Sequence, residues 1–334
     1  MRLLVVTNTL PTPEYPAFGT FIEQQITSLR DLNLEVDVLF LDRAREGMRA
    51  YLNVGQRVKS RILAFQPDLI HVMYGGIMAE AVTRAARDRP TVVSFCGSDL
   101  LGERLSGRMR KVISGYGVLA SWIAARRAAG IIVKSKNLLD ALPAMIERSK
   151  VKIIPNGINL ARFHPLDRDE CRKQLGWGAQ RFNLLFPTNS GDPGKRPTLG
   201  RAAVEILNKS GTPTEMHELT GVPHHKVPLW LNAADAVLLT SLHEGSPNII
   251  KEALACNVPI VSVDVGDVAE RIEGVDGCYI ALSDPVDLAT KLALVHNGSG
   301  RVQGTEKIQE LSLDRVAGRL VRFYSQLIVT EKDV

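Results

Sequence analysis

Short runs of consecutive apolar residues recur along the chain. Between them lie stretches in which apolar residues return every three or four positions. The first kind predicts strands buried on both faces, the second helices with one buried side. Strands are predicted at Leu3–Thr7, Leu34–Leu41, Asp68–Met73, within Thr91–Asp99 with its exit loop, at Gly130–Lys134, Phe182–Phe186, Thr214–Leu219, Asp235–Thr240 and Ile260–Val263. Phe21, Ile22, Ile26 and Leu29 share one helix side; the basic segment Arg43–Arg61 is helical in character, and Ser312–Leu327 is a last amphipathic helix. This alternation predicts an α/β protein. At 334 residues the chain is long for one such domain, and two are expected.

The most informative stretch follows the strand at Asp235–Thr240. Ser246-Pro247 predicts a helix start, with serine as N-cap and proline at the first helical position. Ile249, Ile250, Ala253 and Leu254 give that helix its buried side, Asn257 suits its end, and Pro259 opens the next strand. A helix start beyond the carboxyl end of a parallel strand attracts anions. Glu244 in the turn and Glu252 on the helix flank bracket this site. Two carboxylates repel a bare diphosphate, but they accept hydrogen bonds from sugar hydroxyls. A nucleoside-diphosphate sugar has both parts.

Composition narrows the picture. A hydrophobic content of 45% suffices for two cores. Cys96, Cys171, Cys256 and Cys278 have no paired spacing, which predicts reduced thiols in a cytoplasm. Met1–Asn8 is too short for a signal peptide, and no apolar run reaches the roughly 18 residues of a membrane span. The net charge of +5 is uneven: residues 1–165 hold 23 Lys and Arg against 14 Asp and Glu, the rest 18 against 22. A basic first half predicts an anionic partner surface. Nucleic acid is not expected, because aromatics are only 5% and no nucleic-acid-reading motif is present.

The Glu244-x7-Glu252 pair, set in Glu-Gly-Ser-Pro…Lys-Glu-Ala-Leu-Ala, strongly resembles the retaining glycosyltransferases of family four. The resemblance implies the GT-B fold: two Rossmann-like domains facing each other across a cleft, with a C-terminal helix returning to the first. Pro155-Asn156-Gly157-Ile158-Asn159 resembles the segment where the family's chain crosses between domains. The expected division is 1–165 for the acceptor-side domain, 166–312 for the nucleotide-sugar domain and 313–334 for the returning helix. The resemblance also implies no cofactor. The donor is then expected to be a UDP- or GDP-sugar and the acceptor a glycan or lipid-linked glycan; the cysteines predict a cytoplasmic location, and the basic first half peripheral contact at the inner face of an anionic membrane.

Site residues follow from matching positions. Glu252 is expected at the ribose hydroxyls and Glu244 at a donor-sugar hydroxyl. Gly245, Ser246, Pro247, Asn248 and Ile249 form the helix start that meets the diphosphate. Lys195 matches the family's late phosphate-loop lysine; the early arginine is absent, with Asn189 near its place and Arg196 as its expected substitute. Gly19 resembles the single glycine of the first strand-to-helix loop, which lets the backbone approach the donor phosphate or the acceptor. There is no Gly-x-Gly-x-x-Gly here, which argues against a dinucleotide enzyme. Cys96 stands where many members carry a histidine against the donor sugar, and a thiol cannot donate as an imidazolium does.

Other residues keep two readings. His71, like the family's Asp-x-x-His element, either faces the cleft or is structural. Asp99 either bonds substrate or caps its own turn. The basic, partly apolar stretch Glu103–Arg127 either lies on an anionic membrane or is a set of core-facing helices with solvated arginines. Asp167-x-Asp169 has the spacing of a metal pair but is better explained as acids at a helix start. His224-His225 is expected in a surface loop near the nucleotide base. No protein nucleophile is evident, which favours same-face displacement over a covalent intermediate. The alternatives are a nucleotide-sugar epimerase and a non-catalytic nucleotide-sugar-binding subunit.

Overall fold

The structure is a computed structural model that describes residues 1–102, 108–188, 192–298 and 300–332; the side chains of 108–111 and 330–332 lie outside that description. It divides into two units, Met1–Gly157 with Leu313–Val334, and Ile158–Ser312.

The first unit holds a six-stranded sheet of order β2-β1-β3-β4-β5-β6. Its strands are β1 (Arg2–Thr7), β2 (Glu35–Phe40), β3 (Leu69–Met73), β4 (Thr91–Phe95), β5 (Gly130–Val133) and β6 (Val151–Ile153), all parallel. The central strands β3, β4 and β5 are buried along their whole length. That burial is why they read as unbroken apolar runs rather than alternating ones. The helix Thr20–Asp31 buries Ile22, Ile26 and Leu29, as its spacing predicts. The expected helix over 43–61 is broken into Arg43–Glu46, a 3-10 turn Gly47–Tyr51 and Val54–Phe65. Gly47 and Asn53 stand at the breaks with φ of 59° and 57°, outside the helical region.

The second unit holds a five-stranded parallel sheet of order β11-β10-β9-β7-β8. Its strands are β7 (Phe182–Pro187), β8 (Thr214–Leu219), β9 (Ala236–Leu239), β10 (Ile260–Val263) and β11 (Tyr279–Ala281). Of the eleven strands among the described residues, β6 and β11 escaped the apolar-run reading because each has only three residues.

The last helix, Leu313–Lys332, belongs to the first unit. Its Tyr324 bonds His71, and Phe323 and Leu327 close over Gly130, where a Cβ would lie 2.7 Å and 2.6 Å from them. The unit boundary falls at Gly157/Ile158, eight residues before the expected Pro165. Ile158 bridges Ser312, and the Leu166 N–H donates to Asn232, so residues 158–165 fold with the second unit. Among the described residues no helix is long and apolar enough to cross a membrane.

Candidate active site

Strands β10, β9 and β7 lie side by side, and the loops leaving their carboxyl ends converge. This is where an open parallel sheet places its ligands. The loop after β7 turns at Pro193–Lys195 and the loop after β9 runs from Thr240 to Pro247. They are fastened together. Thr240 Oγ1 donates to the Lys195 carbonyl at 2.7 Å, and the Leu242 N–H donates to the Gly194 carbonyl at 2.8 Å. The result sets Lys195 Nζ 2.5 Å from Glu244 Oε1, in an ion pair whose side chains are only 20% and 16% exposed.

Arg196 does not stand beside Lys195 as a second phosphate cation. Its Nε donates to the Thr240 carbonyl at 2.6 Å and its Nη2 to Ser283 Oγ at 3.0 Å. Its backbone is left-handed, φ 51°, so the side chain turns under the loop, and burial lowers its pKa. Arg196 braces the two loops. Arg201 pairs with Glu218, and Arg271 with Asp267, Glu270 and Glu310. Asn189 lies outside the described residues.

The helix at the site runs Asn248–Ala255, with Pro247 as its N-cap and no side chain capping it. Ser246 is therefore not the cap its sequence position predicts. Its hydroxyl donates to Asp267 Oδ2 at 2.8 Å, and Arg271 Nε holds the same oxygen at 2.9 Å. Ser246 therefore does not cap the helix, whose start lies where an anion is favoured. Gly245 packs against the next turn: Gly266 has φ +62°, and a Cβ there would lie 2.9 Å from the Gly245 carbonyl oxygen. Ile249 sits in the first turn and Ile250 is buried in the core side.

Glu252 is 6% exposed, and its Oε1 lies 3.0 Å from His224 Nε2. His224 Nδ1 lies 3.2 Å from Arg162 Nη1, and the Phe163 ring is centred 5.4 Å from the imidazole. His225, the other half of the pair, is exposed. Sequence reasoning placed this loop near the base but missed His224 itself, 28 residues from its carboxylate. It also missed Thr240, Asp267 and Arg162, each of which acts through a partner distant in sequence. The acids at 167 and 169 behave as helix-start groups: Asp167 Oδ1 accepts from the Glu170 N–H at 2.9 Å. No cluster of three or more metal-ligating side chains occurs among the described residues.

Gly19 and Cys96 belong to the first unit. Gly19 has φ +74°, and a Cβ there would meet the Thr9 carbonyl group at 2.7 Å, so the loop over the helix start requires glycine. Cys96 is half-buried just after β4, and its N–H donates to Asp99. Asp99 also accepts from Gly75 and Gly97, both at 2.8 Å. Burial raises its pKa against the lowering effect of these N–H groups. Of its two readings, the cap is the one observed, although the residue also lines a cavity. That cavity, about 150 Å³, is walled by Asn8, Tyr51, Tyr74, Ser98 and Ile113 as well. Tyr74 is held at φ +105°, a strained conformation for a tyrosine and one that clusters at functional sites. His71 is structural. Its ring nitrogens meet Ser94 Oγ and Tyr324 OH, each at 2.7 Å, and burial pushes its pKa down to about 3.

Comparison with known proteins bears on this geometry. The profile described as Glycosyltransferase Family 4 matches residues 12–162, and that described as Glycosyl transferases group 1 matches residues 193–297. TuaC of Bacillus subtilis, which carries the name of a teichuronic acid biosynthesis glycosyltransferase, is 26% identical over 80% of this chain and 82% of its own. D-inositol 3-phosphate glycosyltransferase 2 of Catenulispora acidiphila is 28% identical over 43% of this chain and 42% of its own. Among solved structures, sucrose-phosphate synthase of Thermosynechococcus elongatus superposes with a TM-score of 0.80 at 14% identity, covering 99% of this chain and all of that one. HepE of Anabaena in complex with UDP-glucose superposes at 0.65 with 17% identity, covering both chains fully. Two parallel α/β units, the paired glutamates beyond β9 and profiles matching about three quarters of the residues agree: the chain belongs to the group 1, family-four glycosyltransferases of GT-B fold.

Proposed function

We propose that the protein transfers a hexose from a UDP- or GDP-sugar to a glycan or lipid-linked acceptor with retention of configuration. The observation that carries this reading is the grouping of Lys195, Glu244, Glu252 and an uncapped helix start at the ends of β7 and β9. Glu252 receives the ribose hydroxyls. The helix N–H groups and Lys195 receive the diphosphate, and Glu244 a hydroxyl of the transferred sugar. In transfer, the bond from the anomeric carbon to the diphosphate oxygen breaks. The acceptor oxygen bonds to the same face of that carbon, and its proton passes to the departing diphosphate. Lys195 and the helix start then meet the developing charge without a divalent metal. The UDP-glucose complex of HepE supports the donor class by analogy of fold.

We assign the acceptor side to the first unit, where Gly19, Cys96 and the Tyr74-walled cavity lie at the carboxyl ends of β1, β3 and β4. A charged and apolar surface there supports an amphiphilic or anionic acceptor. The helix Arg108–Arg127 exposes Val112, Ile113, Tyr116 and Leu119 in a chain region rich in arginine. This supports peripheral contact with an anionic membrane from the cytoplasmic side. The test is nucleoside diphosphate release from UDP- and GDP-sugars by the purified protein, with the anomeric configuration of the product read by NMR. Acceptor-dependent release with retention is expected. Release independent of acceptor would point instead to hydrolysis or epimerisation.

A further inference from the structure

We infer that His224 is a positioning residue for the donor's ribose: with its tautomer set by Arg162, it orients the Glu252 carboxylate. A guanidinium only donates hydrogen bonds. Nδ1 of His224, 3.2 Å from Arg162 Nη1, is therefore the accepting nitrogen and carries no proton. With Nδ1 accepting, the ring proton sits on Nε2, which donates to Glu252 Oε1 at 3.0 Å. The ring itself is held by Phe163, a residue 1% exposed, at 5.4 Å and an interplanar angle of 57°.

Each element of this arrangement has a local cause. Residues 158–165 fold onto the second unit, and the Phe163 N–H donates to the Asn159 carbonyl at 2.8 Å in a turn that presents Arg162 and Phe163 together. Pro223 leads a single 3-10 turn, His224–Lys226, that sets the imidazole against the flank of the Asn248–Ala255 helix. Glu252 sits in the last turn of that helix and has few rotamers left at 6% exposure. One carboxylate oxygen is taken by His224, so the plane of the carboxylate is set, and the other oxygen lies outside this bond. A carboxylate held in one orientation loses less entropy when it accepts ribose hydroxyls. Arg162 and His224 thus act on the nucleotide through Glu252 rather than by touching the reacting sugar.

The inference rests on the ribose role proposed for Glu252, and the two are separated by comparing UDP and GDP with their 2′,3′-dideoxy counterparts in titration calorimetry. Wild type should prefer the ribose form, and Glu252→Gln should largely erase that preference. If Glu252→Gln leaves the preference intact, or wild type shows none, the ribose role itself is wrong. His224→Ala should weaken binding of the ribose form about tenfold, the scale of one hydrogen bond to a charged group, and leave dideoxy binding nearly unchanged. His224→Gln, whose amide N–H reaches the same carboxylate, should recover most of the loss. Arg162→Met, an exchange at an exposed position, should lower the preference about threefold. Should His224→Ala not fold, the Gln and Met variants carry the test alone. Equal losses for ribose and dideoxy forms in the His224 variants, or no change in Arg162→Met, would overturn the inference while leaving the Glu252 reading standing.

Discussion

Replacing Lys195 by alanine tests the proposed charge arrangement from two directions. The ammonium is paired with Glu244 at 2.5 Å, mostly out of solvent. A bound diphosphate must share or take that cation, so the variant has two separate effects. First, the group opposite the charge that develops on bond breaking is gone. One such preorganised group accounts for about 3–4 kcal/mol of barrier, roughly 10²–10³ in rate. Second, Glu244 loses its Lys195 ion pair beside an anionic ligand. Two like charges about 4 Å apart near a protein surface repel by roughly 4 kcal/mol before screening. That repulsion weakens donor binding rather than turnover. We therefore expect Lys195→Ala to lower kcat by about 10²–10³ and to raise the donor KM as well. Adding Glu244→Gln should restore most of the binding and none of the turnover. A coupled assay of nucleoside diphosphate release reads both constants. Turnover within about threefold of wild type would refute the role of Lys195. The cation would then have to come from Arg201 or Arg271 leaving a carboxylate, or from Arg196 leaving its carbonyl partners.

Three further outcomes follow from the same structure. Activity should survive a chelator, because a lysine and a helix start meet the leaving charge; loss in chelator restored by magnesium or manganese would revive a metal role for Asp167 and Asp169. His71 should make stability pH-dependent: its folded pKa is about 3 against 6.5 in an open chain, so below pH 6.5 the unfolded state binds a proton that the native state does not. Stability is fully present above 6.5 and falls by about 1.4 kcal/mol per pH unit beneath it, from this group alone. In urea unfolding at pH 7.5 and 5.5, the difference should shrink by about that amount in His71→Gln; an unchanged difference would mean the imidazole is not held neutral. Binding to anionic vesicles should weaken as salt rises, since the attraction is screened over about 10 Å at 0.1 M. Indifference to vesicle charge would leave the arginines of residues 1–165 as a solvated face.

What was legible in the sequence was whatever depends on neighbours along the chain. Strands β3, β4 and β5 are buried on both faces and announce themselves as apolar runs, whereas β6 and β11, three residues each, are too short to do so. Glu244 and Glu252 were legible because a turn and one helical turn fix their spacing. Partners distant in sequence were not. Ser246 has the residue type and place of an N-cap, yet its hydroxyl goes to Asp267, 21 residues on. Arg196 follows a phosphate-loop lysine, yet carbonyls about forty residues away turn it under the loop. The unit boundary moved for the same reason: Ile158 and Leu166 are claimed by Ser312 and Asn232.

The donor site is tested most directly by binding alone. In a thermal-shift screen of nucleoside diphosphates and their sugar conjugates, one base should raise Tm in proportion to occupancy. We expect that shift to shrink markedly in Glu252→Ala, and to persist in Glu244→Ala, whose loss appears mainly in turnover. The same shift in wild type and Glu252→Ala would contradict a donor site built on these two glutamates, as would equal loss of the shift in both variants.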